Sequence, residues 1–445
     1  MSSRRRFIKE TGLIGTAIGV QPKWSLGAPN WQPNEKISVA VMGVRSRGKA
    51  LARTFAAADN CEVSHICEVD DRYVRDCLKE IAVFQKKVPK VEKDLRKVLE
   101  DDTLDALAIA APDHWHAPAA ILACQAGKHV YLEKPCSHNP QEGEWVVAAA
   151  KKYDRIVQMG NQRRSWSNVI QCMDDLHGGL IGNVYFARAW YANKRGTIGN
   201  GKEATPPKEL DWNLWQGPAP RKKYLDNVHP YEWHWFWHWG TGEALNNGTH
   251  FLDLMRWGLQ VEYPKLVTST GGRYHFDDDW QTPDTQLISI DFPGNKSMTW
   301  ESRSCNTLRA YDQSAGVTFH GDGGSVVLAS GNAYQVYDND RNSKLIKDVK
   351  ADQAMENDPQ NARGPGMQLD IGHIENFLSA IRTSGSVRSE IGGGHKSVLL
   401  CQLGNIAFRT QSALQIDPTR GHIVNNVDAQ KLWLRKYEPG WEVQV

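Results

Sequence analysis

The chain has 445 residues, too many for one ordinary hydrophobic core, so two domains are the natural expectation. Its 53 basic and 51 acidic residues leave a formal charge of +2, which gives no broad basic field for nucleic acid and no charged tail. Hydrophobic residues at 40% and aromatics at 9% are ordinary globular values, but 17 tryptophans are many, and stacking on a flat apolar ligand face competes with core packing as their use.

In chain order, the first element is a targeting segment. Ser3-Arg4-Arg5-Arg6-Phe7-Ile8-Lys9 fits the twin-arginine pattern S-R-R-x-F-L-K, and a short, glycine-diluted apolar stretch follows from Thr11 to Val20. That stretch is too short to anchor stably in a bilayer. The pattern predicts a signal and linker over residues 1–30, cleavage near Ala28, and export to the periplasm or beyond by a route that carries folded, cofactor-loaded proteins.

From Lys36 strands and helices alternate. "KISVAVMGV", "CEVSHICEVD", "LDALAIAAP", "HVYLEKP" and "RIVQMGNQ" read as strands; "GKALARTFAAA", "APAAILACQAG" and "QEGEWVVAAAKKY" read as helices between them. Strands separated by helix-length segments require right-handed crossovers and a parallel, doubly wound sheet over residues 35–160. Past Arg164, "NVYFARAWYANK", "KLVTSTGG", "TQLISIDF", "SMTWESRS", "GVTFHGDGGSVVLAS" and "AYQVYDN" predict a large, mostly antiparallel open sheet within residues 161–365. "GTHFLDLMRWGL" is helical in spacing and closed by Gly258, while 196–207 and 339–365 read as polar loops. Residues 366–445 supply two amphipathic helices and a tail that return to the first domain. The fold class is therefore α/β: a doubly wound N-terminal domain plus a C-terminal α+β domain. Eight cysteines without a C-x-x-C pair read as small core residues.

The turn after the first strand is "GVRSRG", residues 43–48. In a dinucleotide fingerprint G-x-G-x-x-G, Gly43 and Gly48 fill the outer places and Arg45 takes the middle one, where its side chain either obstructs a phosphate or, pointing outward, pairs with it. Arg47 lies in the same turn. Glu68 closes the second strand twenty residues after Gly48, placed to accept hydrogen bonds from ribose hydroxyls and to repel a 2′-phosphate, which favours NAD over NADP; Asp70 is a second claimant.

"YLEKP", with Lys134 between Glu133 and Pro135, "APDHWHAPAAILACQAGKH", "VQMGNQRR", "GEALNNGTHFLDLMRWGL" and "LGNIAFRTQSALQIDP" together resemble the glucose-fructose oxidoreductase, inositol dehydrogenase and MocA group, Gfo/Idh/MocA, over nearly the whole chain after the signal. The resemblance implies a Rossmann domain that binds NAD or NADP, a second domain whose open sheet often mediates homo-oligomers, and action mostly on sugars and polyols, with glycosides cleaved by some members; with Glu68 and the export signal, the cofactor expected is tightly bound NAD. It makes Lys134 the lysine beside nicotinamide and substrate hydroxyl, and His250 the base. Asn246 stands where dehydrogenases of the group commonly carry aspartate; an amide can position a hydroxyl or the imidazole but cannot accept a proton. Pro112, Asp113 and His116 match the loop that covers the cofactor, and Gln162 and Arg163 lie where the chain enters the second domain.

"WHWFWHWG", residues 233–240, admits three readings: core, a metal site on His234 and His238, or a wall for a sugar. The stretch looks extended or looped and lacks an accompanying third ligand, so no metal is expected. Trp233, His234, Trp235 and His238 are candidates for substrate contact. Three functions follow: NAD-dependent oxidation of a ring hydroxyl; redox-neutral glycoside cleavage through a 3-keto intermediate on a retained cofactor; or a non-catalytic sugar or nucleotide binder.

Overall fold

The computed structural model describes residues 36–351 and 367–445 apart from Ser330 and Gln444, so the expected signal over 1–30 and the end of the polar loop at Pro365 lie outside the described residues. The first sheet comprises β1 (Ile37–Met42), β2 (Cys61–Cys67), β3 (Lys90–Glu92), β4 (Ala106–Ile109), β5 (His129–Leu132) and β6 (Val157–Met159). All its pairs are parallel, in the order β3-β2-β1-β4-β5-β6, which is the doubly wound Rossmann order. Between them run α1 (Arg47–Ala57), α2 (Asp71–Ile81), α3 (Leu95–Val98), α4 (Asp113–Gln125) and α5 (Pro140–Lys152). Because helices cover both faces, β1 is apolar at nearly every position: Ile37, Val39 and Val41 face one core, Ala40 and Met42 the other.

After α6 (Ser167–His177), the second sheet is built from β7 (Val184–Lys194), β8 (Leu266–Gly272), β9 (Thr285–Phe292), β10 (Lys296–Arg303), β11 (Cys305–Asn306), β12 (Ala315–Gly321), β13 (Gly324–Ala329), β14 (Tyr334–Asp338), β15 (Leu345–Val349), β16 (Leu414–Ile416) and β17 (Ile423–Val424). Only the β7–β10 pair is parallel. The polar stretch expected to be a loop from residue 339 contains β15, an edge strand whose Leu345 and Ile346 stay exposed, so its sequence lacks a buried face to read.

Between β7 and β8 the chain makes a long excursion containing α7 (Trp212–Gln216), then α8 (Gly242–Asn246) and α9 (Gly248–Leu259). Helix α9 ends at Leu259 rather than Gly258; Gln260 takes the left-handed position that stops it. The excursion has its own core of Leu210, Trp215, Tyr224, Val228, Trp233, Phe236 and Trp239. It crosses the end of β2, where Asp211 N donates to Val69 O at 2.9 Å and Asp71 N to Glu209 O at 3.2 Å. Two long C-terminal helices close the molecule. α10 (Met367–Thr383) packs on α1, adding Ile374, Phe377, Leu378 and Ile381 to the first sheet's core; α11 (Ile391–Thr410) packs on α5, α9 and β8. No helix among the described residues is long and apolar enough to cross a membrane.

Candidate active site

The cofactor turn follows β1. Gly43 has φ of +80°, and a Cβ there would stand 2.8 Å from Ala110 O; a Cβ on Gly48 would stand 1.7 Å from Gly43 O. Both places therefore require glycine, the first for the turn and the second for helix-on-strand packing. Ser46 does not cap α1 with its side chain, which leaves first-turn N–H groups for an anion. Arg45 is exposed, its guanidinium 5.9 Å from the Tyr73 ring and 5.8 Å from the Tyr231 ring, so it leans out between two aromatics instead of filling the turn. The turn fits a dinucleotide despite the missing middle glycine.

Glu68 stands beside this turn. One oxygen accepts from Val44 N at 2.7 Å and the other from Asp70 N at 3.0 Å, leaving a second lone pair on each for a ribose. Burial pushes its pKa up against those N–H groups. Asp70 is instead committed to capping α2 and to Arg72 at 2.6 and 2.8 Å.

Several expected cofactor contacts are corrected to braces. Arg47 donates to Glu133 at 2.7 Å and to both oxygens of Asp370 at 2.6 and 2.7 Å, so its guanidinium is held by carboxylates rather than offered to phosphate. Glu133, 4% exposed, also takes Gln162 Nε2 at 2.9 Å, and Gln162 reaches the Tyr131 hydroxyl at 3.0 Å; both are sealed beneath the site. The His116 ring is wedged between Pro135 O at 2.6 Å and Ala111 O at 2.7 Å, where it fixes the turn that carries Lys134. Pro112 precedes α4, whose first residue Asp113 is buried, accepts the Thr241 hydroxyl, and has its pKa raised by burial.

Lys134 follows β5 and meets the segment before α9. Its Nζ donates to Asn246 O at 2.6 Å and lies 3.4 Å from Asn246 Oδ1. Burial lowers the lysine pKa, with the carboxylates of Glu133 and Asp113 acting against it. His250, third residue of α9, has a buried Nδ1 with no partner among the described residues. Its pKa falls well below the ordinary histidine value through burial first and then the charges of Lys134, Arg163 and Arg47, and a helix N-terminus acts in the same direction. Arg163 lies over the Trp166 and Phe251 rings at 4.7 and 5.3 Å, and burial pulls its pKa down to about 10. The sequence candidates Lys134, Asn246, His250 and Arg163 are thus brought together.

The aromatic stretch divides. Glu232–Trp235 is a 3-10 turn, not an extended run. His234 stacks on Trp233 with ring centres 3.6 Å apart, donates from Nδ1 to Tyr231 O at 2.6 Å, and is held near pKa 3 by burial, with Lys134 and Arg195 adding to the effect. It lies within reach of the Lys134 charge. Trp233, 8% exposed, supports it from the excursion's core. Trp235 is corrected to core: 1% exposed, stacked on Trp280 at 4.0 Å, its Nε1 bonded to Glu232. His238 is corrected as well, since its Nε2 is bound to Pro220 O at 2.8 Å and its ring packs against Trp239. No group of three or more potential metal ligands exists among the described residues.

Sequence reasoning missed Glu243 and Arg195. Glu243 is 1% exposed beneath Asn246 and pairs with Arg195 Nε at 2.7 Å. Its signal was available: an acidic residue one helical turn before Asn246 in an otherwise apolar and amide-rich segment.

Residues 37–161 match the family model for Gfo/Idh/MocA, described as an oxidoreductase family with an NAD-binding Rossmann fold. This segment is an NAD-binding Rossmann domain. Among curated proteins, a glycosyl hydrolase family 109 protein of Saccharopolyspora erythraea is 26% identical over 209 residues, 42% of this chain and 45% of that protein. An alpha-N-acetylgalactosaminidase of Shewanella oneidensis is 24% identical over 214 residues, 43% and 46% respectively. The chain spans about half the length of these curated relatives. Among solved structures, a levoglucosan dehydrogenase complexed with NADH and levoglucosan superposes with a TM-score of 0.66 at 19% identity, over 86% of this chain and 99% of that one. An oxidoreductase domain protein from Kribbella flavida gives 0.67 at 18% identity, over 86% and 100%. These two superpositions show that the chain shares their fold over most of its length.

Proposed function

We propose that the protein is an NAD-dependent oxidoreductase that oxidises a ring hydroxyl of a carbohydrate or polyol. One observation carries this reading: Lys134, just beyond the C-terminal end of β5 in the domain that binds NAD, meets Asn246 and an uncharged His250, which α8 and α9 bring to it from the second domain. When bound, NAD supplies the hydride acceptor. His250 is neutral at physiological pH and takes the hydroxyl proton. Lys134 uses two of its three N–H donors on Asn246, and the third stabilises negative charge developing on the substrate oxygen. His234 on its Trp233 support offers a polar edge for a neighbouring hydroxyl. The names of the relatives, a family 109 glycosyl hydrolase and an alpha-N-acetylgalactosaminidase among them, support the carbohydrate class. The twin-arginine-like start supports export of the loaded protein, and an outer sheet face bearing exposed Leu287, opposite the face covered by α9 and α11, supports self-association.

A second reading is favoured by the excursion that bonds across the end of β2, beside the ribose position of Glu68, and by the glycosidase names among the relatives. There the cofactor is retained: a sugar hydroxyl carbon is oxidised to a ketone, the aglycone is eliminated, water adds in its place, and the ketone is reduced again. Both are tested by recording the purified protein's spectrum for bound nicotinamide and assaying free sugars and aryl glycosides with and without added NAD. NADH in proportion to sugar supports oxidation; aglycone release without net NADH supports the redox-neutral course. Failure to bind nucleotide at millimolar concentration defeats both. Lys134→Ala should abolish turnover with the thermal transition preserved.

A further inference from the structure

We propose that Glu243 is a positioning residue for Lys134: its buried carboxylate fixes the amide of Asn246 and supplies the negative charge that Asn246 does not. The inference rests on the role of Lys134 given above. Glu243 lies on α8, one turn before Asn246, and five donors converge on it. One oxygen accepts from Arg195 Nε at 2.7 Å and Ser304 Oγ at 3.3 Å; the other accepts from Arg195 Nη2 at 3.3 Å, from the Asn247 amide, and from Asn246 Nδ2 at 3.5 Å.

This arrangement leaves the Asn246 amide one stable orientation. With Nδ2 toward Glu243, Oδ1 stands 3.4 Å from Lys134 Nζ. The flipped amide would set an oxygen against a carboxylate and an N–H against an ammonium, two repulsions at once. Lys134 is thereby held by Asn246 O and Oδ1 together, and its third N–H keeps one direction. Arg195 is in turn steadied by the Tyr231 hydroxyl at 3.3 Å, so the charge pair is fixed from outside the reacting centre.

The charged surroundings of Lys134 give the carboxylate weight. Three carboxylates act on the lysine, Glu133 and Asp113 more strongly than Glu243, and each has a partner of its own: Arg47 for Glu133, Thr241 for Asp113 and Arg195 for Glu243; Arg47, His250 and His234 complete the ring of titratable groups. A nearby carboxylate favours the ammonium form. Removing that charge must move the lysine's titration to lower pH.

The test uses the NAD-loaded protein and Glu243→Gln, which keeps the shape of the side chain. The ε-amine of Lys134 is titrated by heteronuclear NMR, assigned through Lys134→Arg, and kcat and KM are followed against pH. We expect the lysine to titrate roughly half a unit or more lower. We expect kcat to fall about 10- to 100-fold with KM changed by less than about threefold. Glu243→Asp, with the charge restored, should return the titration most of the way. An unchanged lysine titration with kcat within about twofold of wild type overturns the proposal. Where Glu243→Gln does not fold because Arg195 is left unbalanced, the pair Glu243→Gln with Arg195→Met removes both charges; kcat must still fall at least about tenfold, and a near-normal kcat overturns the proposal equally. The lysine titration needs no turnover, so a shift seen in a protein inactive on all sugars would count against the carbohydrate reading alone.

Discussion

His234 and Trp235 are chain neighbours with opposite surroundings. The imidazole lies on Trp233 near the charge of Lys134, whereas the Trp235 indole is sealed against Trp280 and lies 4.6 Å beneath the Arg195 guanidinium. Trp235→Ala should therefore cost about 3–5 kcal/mol of stability with KM little changed. His234→Ala should raise KM severalfold with the thermal transition nearly intact. Melting curves beside Michaelis plots decide this, and the reverse pattern would return His234 to the core and Trp235 to the pocket. The sequence could not divide the two, because alternating tryptophans at 233, 235, 237 and 239 have no period that distinguishes a wall from a core once the backbone makes a tight turn. Lys134 and His250 were picked out by the resemblance of "YLEKP" and "GEALNNGTHFLDLMRWGL" to a known family; the apolar pattern alone marks only the strand end and the helix start on which they sit.

At the scale of elements, the clip from Arg47 on α1 to Asp370 on α10 ties the C-terminal helical segment to the cofactor turn. Asp370 is fully buried, and burial raises its pKa against the pull of Arg47. Replacing it by Asn leaves the guanidinium half compensated, which should cost about 3–5 kcal/mol and weaken NAD binding through the displaced turn. Urea unfolding and a nucleotide titration of Asp370→Asn measure both; a stability change below about 1 kcal/mol would show that Glu133 alone suffices to hold Arg47. The parallel strands were readable as continuous apolar runs. The clip was not, because its partners are 323 residues apart and neither residue type announces the other. Edge strand β15 escaped for the opposite reason, having no buried face to leave a pattern.

For the molecule as a whole, buried histidines set the acid limit. Burial holds His129, His229, His238, His373 and His395 near pKa 4 and His234 near 3. The unfolded chain binds protons at these sites below its ordinary histidine value of about 6.5, while the folded chain does not until pH approaches 4. Stability must then fall as pH drops from about 6.5 toward 4, with net proton uptake on unfolding. Calorimetry across that range should show the transition lowered by several degrees by pH 5, and a flat profile would mean that the rings protonate in place. The two-domain division, the Rossmann order and the mostly antiparallel second sheet were foreseeable from the change in strand spacing near residue 164; the crossing of the excursion over β2 was not, because backbone pairing between loops carries no composition.

The same clip imposes an order in time. Ile37, Val39 and Val41 emerge from the ribosome early, yet Ile374 and Phe377, which cover their face, and Asp370, which anchors Arg47, come more than 300 residues later. At about 5–20 residues per second, on the order of tens of seconds separate the first sheet from its cover. The nucleotide cradle is therefore among the last parts of the protein to mature, and the nascent chain must shield one apolar face of its first sheet until nearly all of it has been made.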